Sequence, residues 1–493
     1  MKTEELQQIP AVIHVHTKVS GGAHTVSEIT ELARRNGIRA VLFSDKAERT
    51  FVYGAAPFRG ILRVALRRES LKMSDVGGYL KAIDTAQSAN PDVVLIPGLE
   101  VAPYYAWDGD PRSGNLTVRE TDCELLVYGL KKESDWKNMP FISNPHAERF
   151  TAGSMARLLL CAVLLAAGAA MVIKKKKRVF YVGLRKKQRI SRDTHPLRPA
   201  GVIVLFFALI LTAMFFPFKM PPFSQYDKLS DRGAPYQLFA DYVSQRSGIS
   251  LWAHPDVKVR MRITKKLPLN GLVSMIPSAR KEFTVTADCE GCSELVREVG
   301  GVTGFANLDL GGKKDHSEIS RWDFSLARYA RDGGTKPLWA EAERDFYGNK
   351  DDGEFADAQT VFLIEGKPTR EKLLEALRKG RMYAARGHGG NMFRLREFRV
   401  SDGAGNAISG DTLTAKGNVR VSGVIDSAGN AGMKFRARLI GGDGPIREFS
   451  GRTPYTFDFK YDIREAGTYF RVEADDYANA ALISNPIFVR KEM

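Results

Sequence analysis

The stretch Ala11-Val12-Ile13-His14-Val15-His16 decides the fold of this chain. It predicts a short strand in which Ile13 and Val15 face one side and His14 and His16 face the other. Two imidazoles on one face at the end of a strand can bind a single divalent cation. Later strand-like runs also end in a residue of metal-ligand type: Asp45, Glu100, His254 and Asp345. This repetition indicates a metal-dependent hydrolase assembled from several strand ends.

The positive charge of the chain is concentrated in one segment. The 493 residues are enough for two or three domains, and the formal net charge is +16. Residues 174–198 hold eleven Lys or Arg and one Asp, so +10 of the +16 lies there. The rest of the chain is only mildly basic, and we therefore expect no nucleic-acid partner.

Two apolar runs flank this basic segment. Leu158 to Ile173 is sixteen residues without a charge, and Ala200 to Phe218 is nineteen. The second run is long enough for a transmembrane helix. The first run is long enough if it extends to Ala152, with the Arg157 side chain snorkelling to the membrane surface. The alternative is a pair of buried core helices. Because each run ends directly in Lys or Arg, we predict a two-helix membrane hairpin over residues 152–219.

The basic loop also predicts the orientation of the hairpin. Such loops are usually cytoplasmic, which places the soluble parts in the periplasm of a bacterium, anchored in its inner membrane. Met1 to Pro10 is polar and has no apolar signal-peptide region. We therefore expect that the true start lies upstream and carries a signal; otherwise the positive-inside rule fails here.

The remaining segments fall into two patterns. Residues 1–151 and 220–392 alternate strand and helix signals, with a capping box at Thr25 and Glu28 opening the first helix. Seven or eight such units fit a closed parallel barrel whose site lies at the carboxyl ends of its strands. Residues 393–493 show short alternating runs separated by Gly, Asp and Asn, which predict an antiparallel β-sandwich.

The four cysteines leave two interpretations open. Cys289 and Cys292 form a lone CxxC pair, too few ligands for a zinc site without a second pair. They are either a local disulfide of an oxidising compartment or two reduced loop thiols. Cys123 is isolated in the sequence, and Cys161 falls inside an apolar run.

Together, these strand-end residues resemble a known superfamily. Five segments follow, in order, the motifs of the polymerase and histidinol phosphatase (PHP) superfamily: His14-Val15-His16-Thr17, Ser44-Asp45, Gly98-Leu99-Glu100, Ala253-His254-Pro255 and Asp345-Phe346-Tyr347. Leu374 to Tyr383 resembles its closing helix and strand. The resemblance covers roughly residues 1–390 and is similar to a bacterial membrane branch, in which a hairpin interrupts the barrel and a sandwich follows. It implies a distorted (β/α)7 barrel that holds two or three divalent ions and hydrolyses phosphoesters.

The resemblance also implies a ligand set. The first metal site is expected to contain His14, His16, Glu100 and Asp345, with Glu100 bridging to a second site that contains His254. Asp45 takes the place of the family's aspartate on the second strand, and we include it among the ligands.

Three positions depart from the family pattern. Glu124 stands where a histidine is usual, and a carboxylate can still bind a metal. Lys46 and Tyr347 fall where ligands of the third ion would lie, and neither binds a metal while protonated. These departures lead to two hypotheses.

In the first hypothesis the chain is a two-metal phosphoesterase using zinc, manganese or iron, and its substrate is a phosphorylated small molecule or polymer. Two ions share Glu100 and activate a water, the Lys46 ammonium replaces the third cation, and Tyr347 hydrogen-bonds a substrate oxygen. In the second hypothesis the site has decayed, and the barrel is a membrane-anchored module that binds a ligand or a partner protein. An amidohydrolase-like or deacetylase activity is a further enzymatic alternative, because a binuclear site also activates water against carbonyl carbon.

Overall fold

The computed structural model describes most of the chain in two compact units. The described residues are 6–55, 59, 63–111, 113–183, 187–216, 218–226, 231–266, 282–308, 316–334, 336–349, 351–429, 432–442 and 444–492. One unit comprises residues 1–49, 68–146 and 225–493, and the other comprises residues 50–67 and 147–224.

Seven strands of the first unit pair in a closed ring. In chain order they are β1 (Leu6–Val15), β2 (Ala40–Phe43, continued by Asp45–Lys46), β3 (Val94–Ile96, continued by Gly98–Val101), β4 (Leu125–Tyr128), β5 (Ile249–Trp252), β6 (Gly304–Leu308) and β7 (Trp339–Phe346). Each strand pairs with the next, and β7 pairs with β1. The segments on both sides of the apolar runs therefore contribute to one ring.

One strand of the ring runs against the expected direction. β4 is antiparallel to both β3 and β5, whereas the other pairings in the ring are parallel. The prediction of an all-parallel ring is wrong at this point. Parallel neighbours need a crossover, usually a helix, but the link from β3 to β4 contains two short strands, Ala106–Asp108 and Thr117–Arg119, and no helix among its described residues. The amino end of β4 therefore lies at the same edge of the ring as the carboxyl ends of its neighbours.

Helices and short 3₁₀ turns connect the strands. The predicted capping box is present: Glu28 N–H donates to the Thr25 hydroxyl at 3.3 Å, and Thr25 N–H donates to the Glu28 carboxylate at 2.7 Å. The α-helices of this unit are Val26–Arg35, Val76–Ala89, Glu133–Lys137, Ala234–Gln245, Leu295–Glu298, His316–Asp332 and Arg370–Lys379. The 3₁₀ turns are Lys18–Ser20, Met73–Asp75 and Asp352–Glu354.

A small second sheet joins two excursions from the ring. Val259–Lys266 and Glu282–Cys289 form an antiparallel pair, and Glu282–Cys289 runs parallel to Thr117–Arg119, which in turn pairs with Ala106–Asp108. The sequence patterns did not predict this sheet.

The chain after the ring consists mainly of strands. Apolar side chains facing inward between them form one buried cluster that includes Leu395, Val421, Phe435 and Val472. The strands are Ala358–Glu365, Met382–His388, Asn391–Ser401, Asn406–Ala407, Thr412–Ala415, Asn418–Ala428, Lys434–Gly441, Gly444–Arg452, Tyr455–Asp462, Gly467–Asp475, Ala481–Ser484 and Ile487–Lys491. Their pairings are antiparallel except between Thr412–Ala415 and Ile487–Lys491.

The second unit contains two long apolar helices. Ala152–Ile173 and Arg198–Phe215 are both long and apolar enough to cross a membrane. Most of their side chains are exposed, unlike those of core helices. The helices pack closely at Gly168 and Gly201, where a Cβ on Gly201 would lie 2.8 Å from the carbonyl oxygen of Gly168.

Two antiparallel strand pairs complete this unit. The predicted basic loop is an antiparallel ribbon of Lys176–Val182 and Gln188–Thr194. A second antiparallel pair is formed by Thr50–Gly54 and Arg63–Arg67.

Candidate metal centre

The two histidines of the opening motif lie together at the end of β1. Their ring centroids are 5.0 Å apart, and both side chains are buried. The regular alternation expected from the sequence is interrupted, because the pairing register of β1 shifts between Ile13 and Val15 and the strand ends at Val15. A β-bulge at His14 therefore sets the direction of both imidazoles.

Three residues of the predicted ligand set have left-handed backbone. His14 has φ 66°, His254 φ 26° and Asp345 φ 48°. Such conformations cost on the order of 1–3 kcal/mol each and cluster at functional sites. The surrounding strands thus hold these three residues in strained backbone conformations.

Four potential ligand atoms converge beside β1. They belong to His14, His16, Glu100 and Asp345 and lie within 4.8 Å of one another. His14 Nε2 lies 3.2 Å from Glu100 Oε1 and 3.4 Å from Asp345 Oδ1, and His16 Nε2 lies 3.0 Å from the same Asp345 oxygen. The structure thus brings together the four residues expected at the first metal site.

A second group shares Glu100 with the first. His254 Nε2 lies 3.4 Å from Glu100 Oε1 and 3.6 Å from Glu124 Oε2, and the ligand atoms of the three residues lie within 4.8 Å of one another. Glu124 precedes the antiparallel strand β4, so the reversed direction of β4 brings this carboxylate to the edge where the other ligands lie. Glu100 occupies the place from which one carboxylate can bridge two ions.

Glu343 is a site residue that the sequence reasoning missed. One carboxylate oxygen lies 2.9 Å from His14 Nδ1, and the other accepts the backbone N–H of His254 at 2.7 Å. Glu343 forms a third potential group with these two histidines. A carboxylate on the far nitrogen of an imidazole fixes its orientation and raises its basicity as a ligand. The alternation of Glu341, Glu343 and Asp345 along β7 was the available signal.

Asp45 holds the loop that follows β1. Its carboxylate accepts the backbone N–H and hydroxyl of Thr17 at 2.8 and 2.9 Å and the Ser20 hydroxyl at 2.6 Å. Ser20 Oγ also lies 3.0 Å from His16 Nδ1. Asp45 belongs to none of the three groups found among the described residues. Its role as a metal ligand stays a prediction.

Lys46 and Tyr347 both border the centre. Lys46 Nζ lies 3.9 Å from Glu100 Oε2 and 5.1 Å from the centroid of the Tyr347 ring. That ring stacks on the imidazole of His16 with centroids 4.1 Å apart. Burial raises the pKa of the Tyr347 hydroxyl, and the Glu100 and Asp345 carboxylates raise it further, so the hydroxyl keeps its proton.

Arg49 is the second residue that the sequence reasoning missed. Its Nη2 lies 2.5 Å from Glu124 Oε1 and 3.3 Å from Asp122 Oδ1 and also donates to the carbonyl of Thr121. The side chains of Arg49 and Glu124 are each only 4% exposed. A lone arginine in the sequence carries no sign that it is buried, so no pattern could have found it.

The imidazoles sit in an excess of negative charge. Burial lowers the pKa of His254, but its hydrogen bond to Glu100 and the Glu343 and Glu124 carboxylates outweigh that effect and raise the pKa to about 10. Burial likewise opposes protonation of His14, yet the Glu343, Asp345 and Glu100 carboxylates raise its pKa well above the usual value. A divalent cation among these carboxylates would replace the protons.

Unsatisfied polar atoms in the centre fit the same cation. His14 Nε2 and Glu100 Oε2 are buried without a hydrogen-bond partner. Buried polar atoms of this kind are rare unless an ion or water satisfies them. The imidazole and carboxylate donors suit zinc, manganese and iron, so the residues present fit a divalent metal.

The centre opens into a large cavity of about 1820 Å³. Strands from the C-terminal part of the chain form its opposite wall. Its lining includes His254, Glu343, Asp345 and Tyr347 on one side and Arg436 and Tyr477 on the other. The volume is larger than a phosphate group alone requires.

Comparison with known proteins gives matches only among solved structures. No protein-family model matches the sequence, and no curated protein matches it. A two-domain protein from Bacteroides vulgatus containing a predicted PHP-like metal-dependent phosphoesterase is 11% identical, with a TM-score of 0.35, 96% of this chain covered and 92% of that one. A putative metal-dependent phosphoesterase from Bifidobacterium adolescentis is 15% identical, with a TM-score of 0.28 and coverages of 74% and 95%. An amidohydrolase from Chromobacterium violaceum with bound sulfate and no metal is 13% identical, with a TM-score of 0.29 and coverages of 74% and 96%.

Proposed function

We propose that this chain is a metal-dependent hydrolase of the PHP type that cleaves phosphoester bonds. The observation that carries the proposal is the convergence of four ligand atoms from His14, His16, Glu100 and Asp345 within 4.8 Å, at the edge of a seven-stranded ring. In this proposal the ring is a distorted (β/α)7 barrel, and the strands after residue 393 form a β-sandwich.

Two ions are proposed to occupy the centre. The first would be held by His14, His16, Glu100 and Asp345, and the second by Glu100, Glu124 and His254. Glu343 would orient His14 through Nδ1 and leave Nε2 facing the ligand cluster. Asp45 would act on the first site through Ser20 and His16, or as a ligand itself.

The reaction divides its tasks between the metals and the side chains around them. Divalent ions bound at such a site lower the pKa of a water and neutralise charge on phosphoryl oxygens. The Lys46 ammonium lies 3.9 Å from Glu100 Oε2, and it would contact a phosphoryl oxygen of the substrate. Tyr347 remains protonated and would donate a hydrogen bond to a second oxygen.

The substrate is proposed to be a phosphorylated small molecule or polymer. The cavity accommodates more than the phosphoryl group, so residues such as Arg436 and Tyr477 would contact the rest of the substrate. The two apolar helices are proposed to anchor the protein in a bacterial inner membrane, with its soluble parts in the periplasm.

The test combines metal content with turnover on one sample. Purified full-length protein is loaded with zinc, manganese or iron, its metals are counted by mass spectrometry, and hydrolysis of a chromogenic phosphomonoester and a phosphodiester is followed. We expect about two ions per chain together with hydrolysis of at least one ester.

Two other outcomes would contradict the proposal. One is metal binding without turnover, and the other is the absence of both metal binding and turnover. Either would favour a decayed barrel that binds a ligand or a partner. The ion pair between Arg49 and Glu124 favours this alternative, since it already occupies one carboxylate oxygen of the second site.

A further inference from the structure

Three of the four cysteines meet in one buried cluster. Cys123 Sγ lies 3.6 Å from Cys289 Sγ, although 166 positions separate the two residues in the sequence. The Cys123 thiol also interacts with the thiol of Cys292. Each of the three side chains is at most 3% exposed. Cys123, isolated in the sequence, is therefore the centre of a thiol cluster.

The cluster lies between two segments of the metal centre. Cys123 directly precedes Glu124, and the backbone N–H of Cys292 donates to the carbonyl of Pro255 at 2.8 Å, next to His254. The backbone N–H of Glu120 donates to the carbonyl of Asp288 at 3.1 Å, so the segments before Cys123 and Cys289 are already held side by side. Cys123 and Cys289 can therefore approach each other without displacing a strand.

We propose that Cys123 and Cys289 form a disulfide, with Cys292 as the third thiol that exchanges with it. An external disulfide of the glutathione type is the oxidant. The two thiols lose two protons and two electrons as the new S–S bond forms, and the external disulfide takes them up as it splits into two thiols. When Cys292 attacks Cys289, the bond moves to the CxxC pair and the Cys123 thiolate is released and takes up a proton.

The cluster is better suited to a disulfide than to a metal. A structural zinc site needs four ligands, and the groups able to hold a metal among the described residues contain no cysteine.

The bond has a consequence that depends on the proposed function. It would link the segment that carries Glu124 to the strand Glu282–Cys289 of the second sheet. Just after this strand, the backbone of Cys292 is hydrogen-bonded to Pro255, the residue next to His254. Glu124 and His254, two of the three proposed ligands of the second metal site, would then be held more rigidly. Since outer residues that position a ligand typically change metal affinity 10- to 100-fold, we expect about tenfold tighter metal binding in the oxidised protein.

Thiol counting on the full chain tests the disulfide itself. The protein is incubated with oxidised glutathione, denatured without reductant, alkylated, and examined by intact mass and by peptide mapping. We expect two of the four thiols to escape alkylation and a linked peptide that joins Cys123 to Cys289. The variant Cys161→Ser, in the apolar helix, should lose the same two thiols.

Three results would overturn this proposal. All four thiols could remain alkylatable, the only link could join Cys289 to Cys292, or the thiols could be protected by a zinc ion that a chelator removes.

Metal affinity of the oxidised and reduced wild type tests the coupling. Competition titrations should give a dissociation constant about tenfold higher after reduction, and Cys123→Ala should bind metal equally in both conditions. Equal affinities in the wild type would overturn the coupling but leave the mapped disulfide intact. If neither form binds metal, the proposed function fails while the disulfide result stands.

Discussion

The two halves of the metal centre balance their negative charge in different ways. On one side, the carboxylates of Asp345 and Glu343 face the imidazoles of His14 and His16, whose positive charge depends on a proton. On the other side, the Glu124 carboxylate faces the fixed guanidinium of Arg49 at 2.5 Å. The negative charge on the histidine side is thus balanced only when protons or a cation are taken up. The negative charge of Glu124 is balanced permanently by the Arg49 guanidinium.

This difference indicates where a metal ion binds most tightly. A divalent ion on the histidine side replaces protons and satisfies buried atoms such as His14 Nε2. An ion on the Glu124 side must compete with Arg49 for one carboxylate. We therefore expect the first site to fill before the second, and the following experiments test this order.

Glu100→Ala should have the largest effect, because Glu100 is shared by both groups. We expect a loss of metal affinity exceeding about a hundredfold, together with the loss of hydrolysis. Metal content and ester turnover measured on the same preparation check this expectation. The exposed Glu371→Ala is the matched control, and full activity in Glu100→Ala would contradict the two-ion centre.

Arg49→Met should unfold more easily, because it leaves the buried Glu124 carboxylate without its cation. Breaking a buried pair typically costs about 3–5 kcal/mol, against about 0–1 kcal/mol for an exposed pair such as that of Arg420 and Asp458. Urea unfolding of the metal-free Arg49→Met and Arg420→Met variants measures the difference. Saturating metal should restore more stability to Arg49→Met than to the wild type, and equal restoration would show that Glu124 binds no metal.

Lys46→Met should slow hydrolysis without emptying the metal sites. Lys46 contacts Glu100 only at 3.9 Å and is part of no ligand group, so its expected contact is with the substrate. Removing one such electrostatic contact typically lowers kcat by about 100- to 1,000-fold. Steady-state kinetics and metal content separate the two roles, with the exposed Lys18→Met as control. Loss of metal in Lys46→Met would contradict a role in substrate binding.

Metal affinity should rise with pH, since bound metal displaces a proton from the histidines. The pKa of His254 is raised to about 10. Below that pH, each proton that the metal displaces makes the metal affinity rise about tenfold per pH unit. The metal-free protein should show the opposite trend in stability. Because the pKa of His254 is 6.5 in the unfolded chain and about 10 in the folded one, the proton on His254 stabilises the fold, and this stabilisation is complete below pH 6.5. It is lost as the pH rises through about 10. Thermal unfolding of metal-free and loaded protein across this range measures both trends, and an unchanged stability of the metal-free form would rule out a proton on His254.

The sequence predicted those parts of the structure that depend on local patterns. The capping box at Thr25 and the two long apolar helices follow from spacing and composition. The motif series also placed His14 and His254 in one centre despite the inserted hairpin, and their rings stack at 5.4 Å.

Features that depend on tertiary contacts were not predictable. The antiparallel direction of β4 goes with a preceding link that has no crossover helix among its described residues, which a single strand pattern does not reveal. The ion pair of Arg49 with Glu124 and the proximity of Cys123 to the CxxC pair depend on segments distant in sequence. The bulge at His14 has no sequence signal, because histidine has no special preference for that conformation.

The pairing of β1 has a consequence for the order of folding. β1 lies between β2 on one side and β7 and Ala358–Glu365 on the other. During synthesis β1 therefore remains half-paired until more than three hundred further residues have been made, including both long apolar helices. Contacts of such high sequence separation form late and slowly. His14 and His16 thus acquire their partner Asp345 only after these residues have been made, and a chain that stops before β7 exposes an unpaired strand edge to aggregation.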